Sequence, residues 1–380
     1  MLVHVPFTTR ARRIAAPVGA PLRRRLIARR TGAWPRHSRL FVAGDGNRWA
    51  IADDAEQLRR LAASLGVRVG PERWIAAVRG QSIFHTSQFT LIGQPFERAG
   101  NRLGVAYLHG RPGTPGMPEF DTCYETVRRR HEELDRVQVS SRAMEELVLT
   151  TGIDPAKVFR IPIGVDTARF CPRDAASRVQ ARRELGLPEN AFVAGSFQKD
   201  GVGWGEGLEP KLIKGPDVLV ETARLLHRDV PELVVLLTGP ARGFVRRGLD
   251  ELGIPHRHVL LPDLDAVARA YRAVDVCLVT SRDEGGPKAL LEAMATGVPV
   301  VTTRVGQAAD LVRDGENGRL CAVGDAEALA AAAAGVARAP GETLERVVAA
   351  GLATAAACSL EALRPAWRSL LSGFVAMEEP

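Results

Sequence analysis

The chain has 380 residues, 46% of them apolar and 25% charged, an ordinary globular balance at a length that suits two domains of similar size. No run nears the ~18 uninterrupted apolar residues of a membrane span, and the alanine-rich stretch from Ala328 is short. The five cysteines are scattered, without a C-x-x-C pair, which argues against a disulfide framework or a zinc site and fits a reducing cytoplasm.

The net charge of +7 is unevenly placed: residues 1–50 hold eleven arginines and one acid, +10, leaving −3 for the rest. Three roles suit that segment: docking of residues 1–38 on an anionic membrane surface, a transit-like targeting peptide, and a plain extension. It shows neither the aromatic interleaving nor the zinc spacing of a nucleic-acid reader, so no nucleic-acid partner is expected.

From Arg39 onward short apolar runs alternate with amphipathic stretches, the pattern of βαβ units around a parallel sheet. Strands are expected at Arg39 to Gly44, Ser82 to Gln88, Leu103 to Gly110 and Arg136 to Ser141, with helices at Asp54 to Leu65, Asp121 to Leu134 and Ser141 to Thr150. The second half repeats the scheme, with strands at AFVAGSF, ELVVLLTG, HVLLP, VDVCLVTS and VPVVTT. The fold class is therefore α/β, two Rossmann-like doubly wound domains. Ligands sit beyond the carboxyl ends of such strands, so two sheets face to face enclose a cleft.

The chemistry concentrates in SRDEGGPKALLEAMATGVPVVTTRVG, Ser281 to Gly306. VDVCLVTS reads as a buried strand, RDEGG as the loop at its carboxyl end, and Pro287 as the proline of a helix's first turn. The first N–H groups of that helix, around Gly285, Gly286 and Lys288, lie outside the helical ladder and suit a phosphate, which two glycines let approach. Glu284 stands just before the helix and Glu292 more than one turn inside it. Carboxylates suit uncharged hydroxyls on either side of a diphosphate, as in a nucleotide sugar.

A second helix start, KLIKGPDVLVETARLLH, places Lys214 and Gly215 before Pro216 and offers another diphosphate grip. Only five lysines occur, and four of them, Lys199, Lys211, Lys214 and Lys288, fall in these two loops or just upstream.

These stretches, with RIPIGVDTARF, resemble the retaining glycosyltransferases of the GT-B fold, glycosyltransferase family four (group 1). The likeness is strong over about Val137 to Val323 and weaker between Arg39 and Leu134. It implies that Glu284 binds hydroxyls of the donor sugar, that Glu292 binds the ribose, and that Lys214 and the Gly285 and Gly286 amides take the diphosphate. His109, in YLHG, matches a histidine that faces the acceptor and reacting sugar; His85 is a weaker candidate. The implied catalytic set is Glu284, His109 and Lys214, the donor set adds Lys199, Gly285, Gly286, Lys288 and Glu292, and Gly44 and Gly46 in GDGNRWA lie on the acceptor side. The resemblance also implies retention of configuration, no cofactor and no metal, the nucleotide sugar being a substrate.

The expected domains are a basic extension 1–38, an acceptor domain 39–168, a donor domain 169–359, and a terminal helix in 360–380 that crosses back to the first domain. The expected location is the cytoplasm, with peripheral membrane attachment as one reading of residues 1–38.

The sequence departs from the family where an arginine normally stands five residues before the diphosphate lysine; here that position is Glu209, within an apparent insertion, QKDGVGWGEGLEP. Lys199 is the candidate substitute for the charge, and the insertion with Trp204 reads alternatively as a flap over the donor. Asp263 to Asp265 has the D-x-D spacing of metal-dependent transferases but directly precedes a helix, where capping is the expected role. His256 and His258 lack a third metal ligand nearby. Other readings are a glycosidase using Glu284 and Glu292, another sugar-nucleotide enzyme such as an epimerase or phosphorylase, and a non-catalytic nucleotide-sugar-binding subunit.

Overall fold

The computed structural model describes residues 39–44, 50–92 and 100–377. The expectations on residues 1–38 and on Gly46 lie outside these residues. The chain divides into two compact units, Met1–Ile161 with Arg364–Pro380, and Pro162–Leu363. The division falls a little ahead of the expected residue 168.

The first unit holds six parallel strands, β1 (Leu40–Ala43), β2 (Val69–Gly70), β3 (Ser82–His85), β4 (Arg102–Ala106), β5 (Arg136–Val139) and β6 (Val158–Arg160), in the order β2-β1-β3-β4-β5-β6. Its core gathers Phe41, Ile83, Val105, Val137 and Val139 from the strands with Cys123, Val127 and Val148 from the helices. The Arg364–Leu371 helix packs in this unit: Trp367 stands edge-on to Phe84 with centroids 5.9 Å apart, and Arg136 donates to the Leu370 and Ser372 carbonyls at 2.9 and 2.8 Å.

The second unit holds β7 (Phe192–Phe197), β8 (Leu233–Thr238), β9 (His256–Val259), β10 (Val276–Val279), β11 (Val300–Thr303) and β12 (Arg319–Cys321), parallel throughout, in the order β12-β11-β10-β7-β8-β9. Helices cover both faces, so successive strand residues enter opposite cores. In β10, Cys277 and Val279 join one apolar cluster while Val276 and Leu278 join the other. Two-sided burial explains the unbroken apolar run at this strand. The strand order reverses between β7 and β10, a switch point of the kind at which open α/β sheets take ligands beyond the carboxyl ends of their strands.

Three strands escaped the sequence reading. β2, β6 and β12 are edge strands of two or three residues, too short to carry a periodic signal. The strand expected at HVLLP lies earlier, at His256–Val259, and Leu260 is 69% exposed, so an apolar pair alone misplaced it. His256 and His258 sit on this strand, where His258 Nε2 lies 2.7 Å from the Gly239 carbonyl oxygen. Among the described residues, no helix is long and apolar enough to cross a membrane.

Candidate functional site

The loops after β7 and β10 flank the switch point of the second unit. After β10, Thr280 to Pro287 lead into the Lys288–Ala295 helix, with Pro287 as its N-cap. On the β7 side a short 3-10 turn, Leu212–Lys214, ends at Gly215, which opens the Pro216–Asp229 helix. Gly215 has φ 62°, and a Cβ there would stand 2.0 Å from the Thr280 carbonyl oxygen, so only glycine lets the two loops close on each other.

Side chains then lace them together. The Thr280 hydroxyl donates to the Gly215 carbonyl at 3.0 Å, and Arg282 makes a two-pronged ion pair with Asp217 at 2.7 and 2.6 Å. Asp217 lies in the first turn of its helix, where a carboxylate is favoured by the helix dipole. The burial cost at Asp217 is outweighed by the Arg282 bonds, and its pKa falls below the usual carboxylate value.

This lacing brings Lys214 and Glu284 together. Lys214 Nζ lies 2.5 Å from Glu284 Oε1, and the Ser281 hydroxyl donates to the same oxygen at 3.0 Å. Both side chains are largely enclosed, 23% and 12% exposed. Gln198, just past β7, donates to the Lys214 carbonyl at 3.1 Å. The residue expected at the diphosphate and the residue expected at the sugar are thus in direct contact, although seventy positions separate them in sequence.

Glu292 faces a different partner. The Tyr271 hydroxyl donates to Glu292 Oε2 at 2.9 Å, and the Tyr271 ring stacks on Phe197 with centroids 3.7 Å apart. Burial first, and then the Glu292 charge, hold the Tyr271 pKa well above its ordinary value, so the phenol stays protonated and donates. The Gly285 carbonyl accepts from the Gln307 amide at 3.0 Å, and Gln307 also takes the Ile163 N–H at 2.8 Å, fixing the turn from behind.

Lys199 lies past the end of β7. Its ammonium donates to the Gly201 carbonyl at 3.0 Å and sits 5.1 Å from the Trp204 ring centroid. Burial, and next the Lys214 charge, lower its pKa. The charge that stands deepest here is one the sequence reading missed. Arg242 is fully buried, donates to the carbonyls of Ser196, Gln198 and Thr238 at 2.8 to 3.0 Å, and so ties the ends of β7 and β8. Its Nε lies 3.0 Å from Oδ1 of the equally buried Asp200, an ion pair in poor alignment for a hydrogen bond. Burial raises the Asp200 pKa against the pull of Arg242. Tyr271, Gln198, Ser281 and Arg242 carry no spacing signal of their own; Arg242 in TGPARG, directly after a strand end, was the one readable clue.

In the first unit, the His109 ring stands edge-on to Phe89 and Phe120 with centroids 5.5 Å away in each case, and its carbonyl accepts from Gln88 at 2.6 Å. His85 is buried beside the Thr90 hydroxyl at 3.1 Å, and desolvation lowers its pKa to about 4, which keeps it neutral near pH 7. Gly44 donates its amide to Glu72 at 2.9 Å at the end of β1. Of the D-x-D pair, Asp263 caps the Leu264–Tyr271 helix through the Ala266 amide at 2.8 Å, and Asp265 pairs with Arg169 at 2.7 Å.

A family model described as glycosyl transferases group 1 matches residues 206–338. The D-inositol 3-phosphate glycosyltransferase of Actinosynnema mirum is 39% identical over 67% of this chain and 64% of its own length. A protein described as D-inositol 3-phosphate glycosyltransferase 2 from Catenulispora acidiphila is 33% identical over 67% of the chain and 62% of its own length. The chain thus spans a little under two thirds of these curated relatives. Among solved structures, Anabaena HepE in complex with UDP and glucose is similar at TM-score 0.70 and 17% identity, over 89% of this chain and 100% of that one. Sucrose-phosphate synthase from Thermosynechococcus elongatus is similar at TM-score 0.67 and 20% identity, over 89% and 100%. The sheet order and the solved structures agree on the GT-B fold, and within it residues 206–338 match the group 1 glycosyl transferases.

Proposed function

We propose that the protein transfers a sugar from a nucleoside diphosphate sugar to a hydroxyl acceptor, with retention and without a metal. The observation that carries this reading is the Lys214–Glu284 contact at the β7/β10 switch point. In a sugar nucleotide, sugar and diphosphate meet at one bond, between the anomeric carbon and a phosphate oxygen. A lysine that takes the phosphate and a carboxylate that takes the sugar must therefore stand side by side, as these two do.

In the reaction that bond breaks, its electron pair leaves with the diphosphate, and the acceptor oxygen bonds to the anomeric carbon. Lys214, Lys199 and the start of the Lys288–Ala295 helix stabilise the charge on the leaving group; one preorganised donor of this kind contributes about 3–4 kcal/mol. Glu284, held by Lys214 and Ser281, steadies the positive character of the sugar. The acceptor's proton passes to the departing phosphate, which leaves on the face the acceptor enters and gives retention. Glu292, oriented by Tyr271, takes the ribose hydroxyls.

HepE holding UDP and glucose supports a uridine donor, and the names of the relatives support a phosphorylated polyol as acceptor. The phosphate-gripping features and the Lys214 clasp on Glu284 weigh against a glycosidase, whose two carboxyls must be available as acid and nucleophile.

The test is calorimetric titration of UDP, GDP and ADP, with a chelator present, into the wild type, Lys214→Ala and Glu292→Ala, followed by an assay for sugar transfer to inositol 3-phosphate. One nucleotide binding the wild type and weakening in both variants is the expected result. Equal binding by all three proteins overturns the donor site.

A further inference from the structure

The insertion after β7 is an ordered hairpin. Gly201 and Pro210 pair antiparallel, and the Val202 amide donates to the Glu209 carbonyl at 2.9 Å. It is seated on the loop after β8. The amides of Gly243 and Phe244, the first of the Gly243–Glu251 helix, donate to the Glu206 and Gly207 carbonyls at 2.8 and 2.9 Å. That helix start, which would otherwise attract an anion, is filled by the protein itself. The seat is tight: a Cβ on Gly207 would lie 2.4 Å from Ala241, itself at φ 56°. Asp200, at the root of the hairpin, is fixed by Arg242.

Between root and tip sits Lys199. A lysine on a four-carbon stem beside another ammonium would ordinarily swing out into water. Here the Gly201 carbonyl at 3.0 Å and the Trp204 ring at 5.1 Å hold it in, on a segment tied to the Lys214 turn from both sides: Gln198 donates to the Lys214 carbonyl at 3.1 Å and the Lys211 amide donates to the Asp200 carbonyl at 2.8 Å. Trp204 itself is 58% exposed, so its ring is not placed there by core packing.

We propose that Trp204 is a positioning residue of the donor site: its ring and the Gly201 carbonyl keep the Lys199 ammonium beside Lys214, so that two lysines grip one diphosphate together. The inference rests on the donor reading above. Two like charges on segments tied to each other suit a ligand whose adjoining phosphates are both charged, whereas a monophosphate engages one lysine fully. The ring should therefore matter to the second phosphate and not to the nucleoside.

The experiment compares UDP with UMP by calorimetry in the wild type, Lys199→Gln, Trp204→Ala and Trp204→Phe. Trp204→Ala should weaken UDP about 5–10-fold and leave UMP within twofold, and Trp204→Phe, which keeps an aromatic face, should restore UDP to within about twofold. Lys199→Gln should weaken UDP at least as much as Trp204→Ala. If Trp204→Ala or Lys199→Gln binds UDP like the wild type while Lys214→Ala loses it, the positioning role is overturned and the donor site stands. Equal losses for UDP and UMP in Trp204→Ala, without recovery in Trp204→Phe, mean a merely structural ring and also overturn it. Absence of UDP binding to the wild type overturns the donor reading, and this inference with it.

Discussion

Lys214 Nζ and Glu284 Oε1 lie 2.5 Å apart at the carboxyl ends of β7 and β10. The contact pairs the two groups proposed to meet the diphosphate and the sugar, and it separates their roles in a measurable way. Glu284→Gln leaves Lys214 uncommitted, so UDP should bind as tightly as in the wild type or more so, while transfer falls about 10²–10³-fold. Lys214→Ala should lose both. Because the pair acts as a unit, the double variant should transfer no more slowly than about the worse single one. Kinetics and calorimetry on the three proteins check this, and equal weakening of UDP in both single variants would make the contact purely structural.

The clasp depends on Gly215. A methyl group there meets the Thr280 carbonyl, and φ 62° strains any side chain. Gly215→Ala should cost about 1–3 kcal/mol of stability and push the Lys214 turn off the β10 loop. The expected reading is a UDP affinity lowered about tenfold or more together with a lower urea midpoint. A midpoint that falls with UDP affinity unchanged would show that the turn recovers its place without the glycine.

Tyr271 is buried and spends its hydroxyl on Glu292. Tyr271→Phe keeps the ring stacked on Phe197 and removes only that bond, which is worth about 1–3 kcal/mol when the acceptor is charged. If Glu292 serves the ribose, KM for the donor should rise about 3–10-fold with kcat little changed, the signature of binding shared by ground and transition states. A fall in kcat at constant KM would move Glu292 to the reacting centre instead.

Much of this was legible in the sequence because the signals were local. The apolar run of β10, buried on both faces, announced the fold, and the two helix starts with lysine and glycine supplied most of the residues proposed for the donor site. What stayed hidden depends on long-range placement. Nothing in LDAVARAYRAV marks Tyr271 as a partner of Glu292, and nothing near Ser281 marks it as a donor to Glu284, because those pairings form only when the strands take their order in the sheet. Arg242 was hidden differently. In a chain rich in arginine one more carries little information, and burial is what sets it apart. The first unit was read less well, since its edge strands are two or three residues long and its candidate histidines differ only in surroundings: His85 is sealed in, while His109 is half-buried between two aromatic rings.

Arg242 and Asp200 are both fully buried, which makes their removal expensive. Arg242→Ala strands a carboxylate in the interior and releases the carbonyls of Ser196, Gln198 and Thr238, at a cost of about 3–5 kcal/mol. A simple buried ion pair can often be exchanged for apolar residues at little cost. Here the double replacement Asp200→Leu with Arg242→Met should remain destabilising by more than about 2 kcal/mol, because three carbonyls still lose their donor. Urea unfolding of both variants decides it: recovery of wild-type stability in the double variant would reduce Arg242 to a counter-ion.

His85 makes the stability of the first unit depend on acid. Its pKa is lowered to about 4 in the folded chain against 6.5 for an ordinary histidine, so between those values the unfolded chain binds the extra proton. The sign follows directly: this contribution is complete above about pH 6.5 and is lost as pH falls toward 4. At pH 5 the loss should be about 2 kcal/mol, within a full span of about 3 kcal/mol. Carboxylates titrating in the same range add their own slopes, so the comparison is with His85→Asn, which keeps a polar side chain beside Thr90 and cannot take up the proton. Urea midpoints at pH 7.5 and pH 5 should separate more widely for the wild type than for the variant. Equal separations would mean that the folded chain admits the proton at His85 as readily as the unfolded one does.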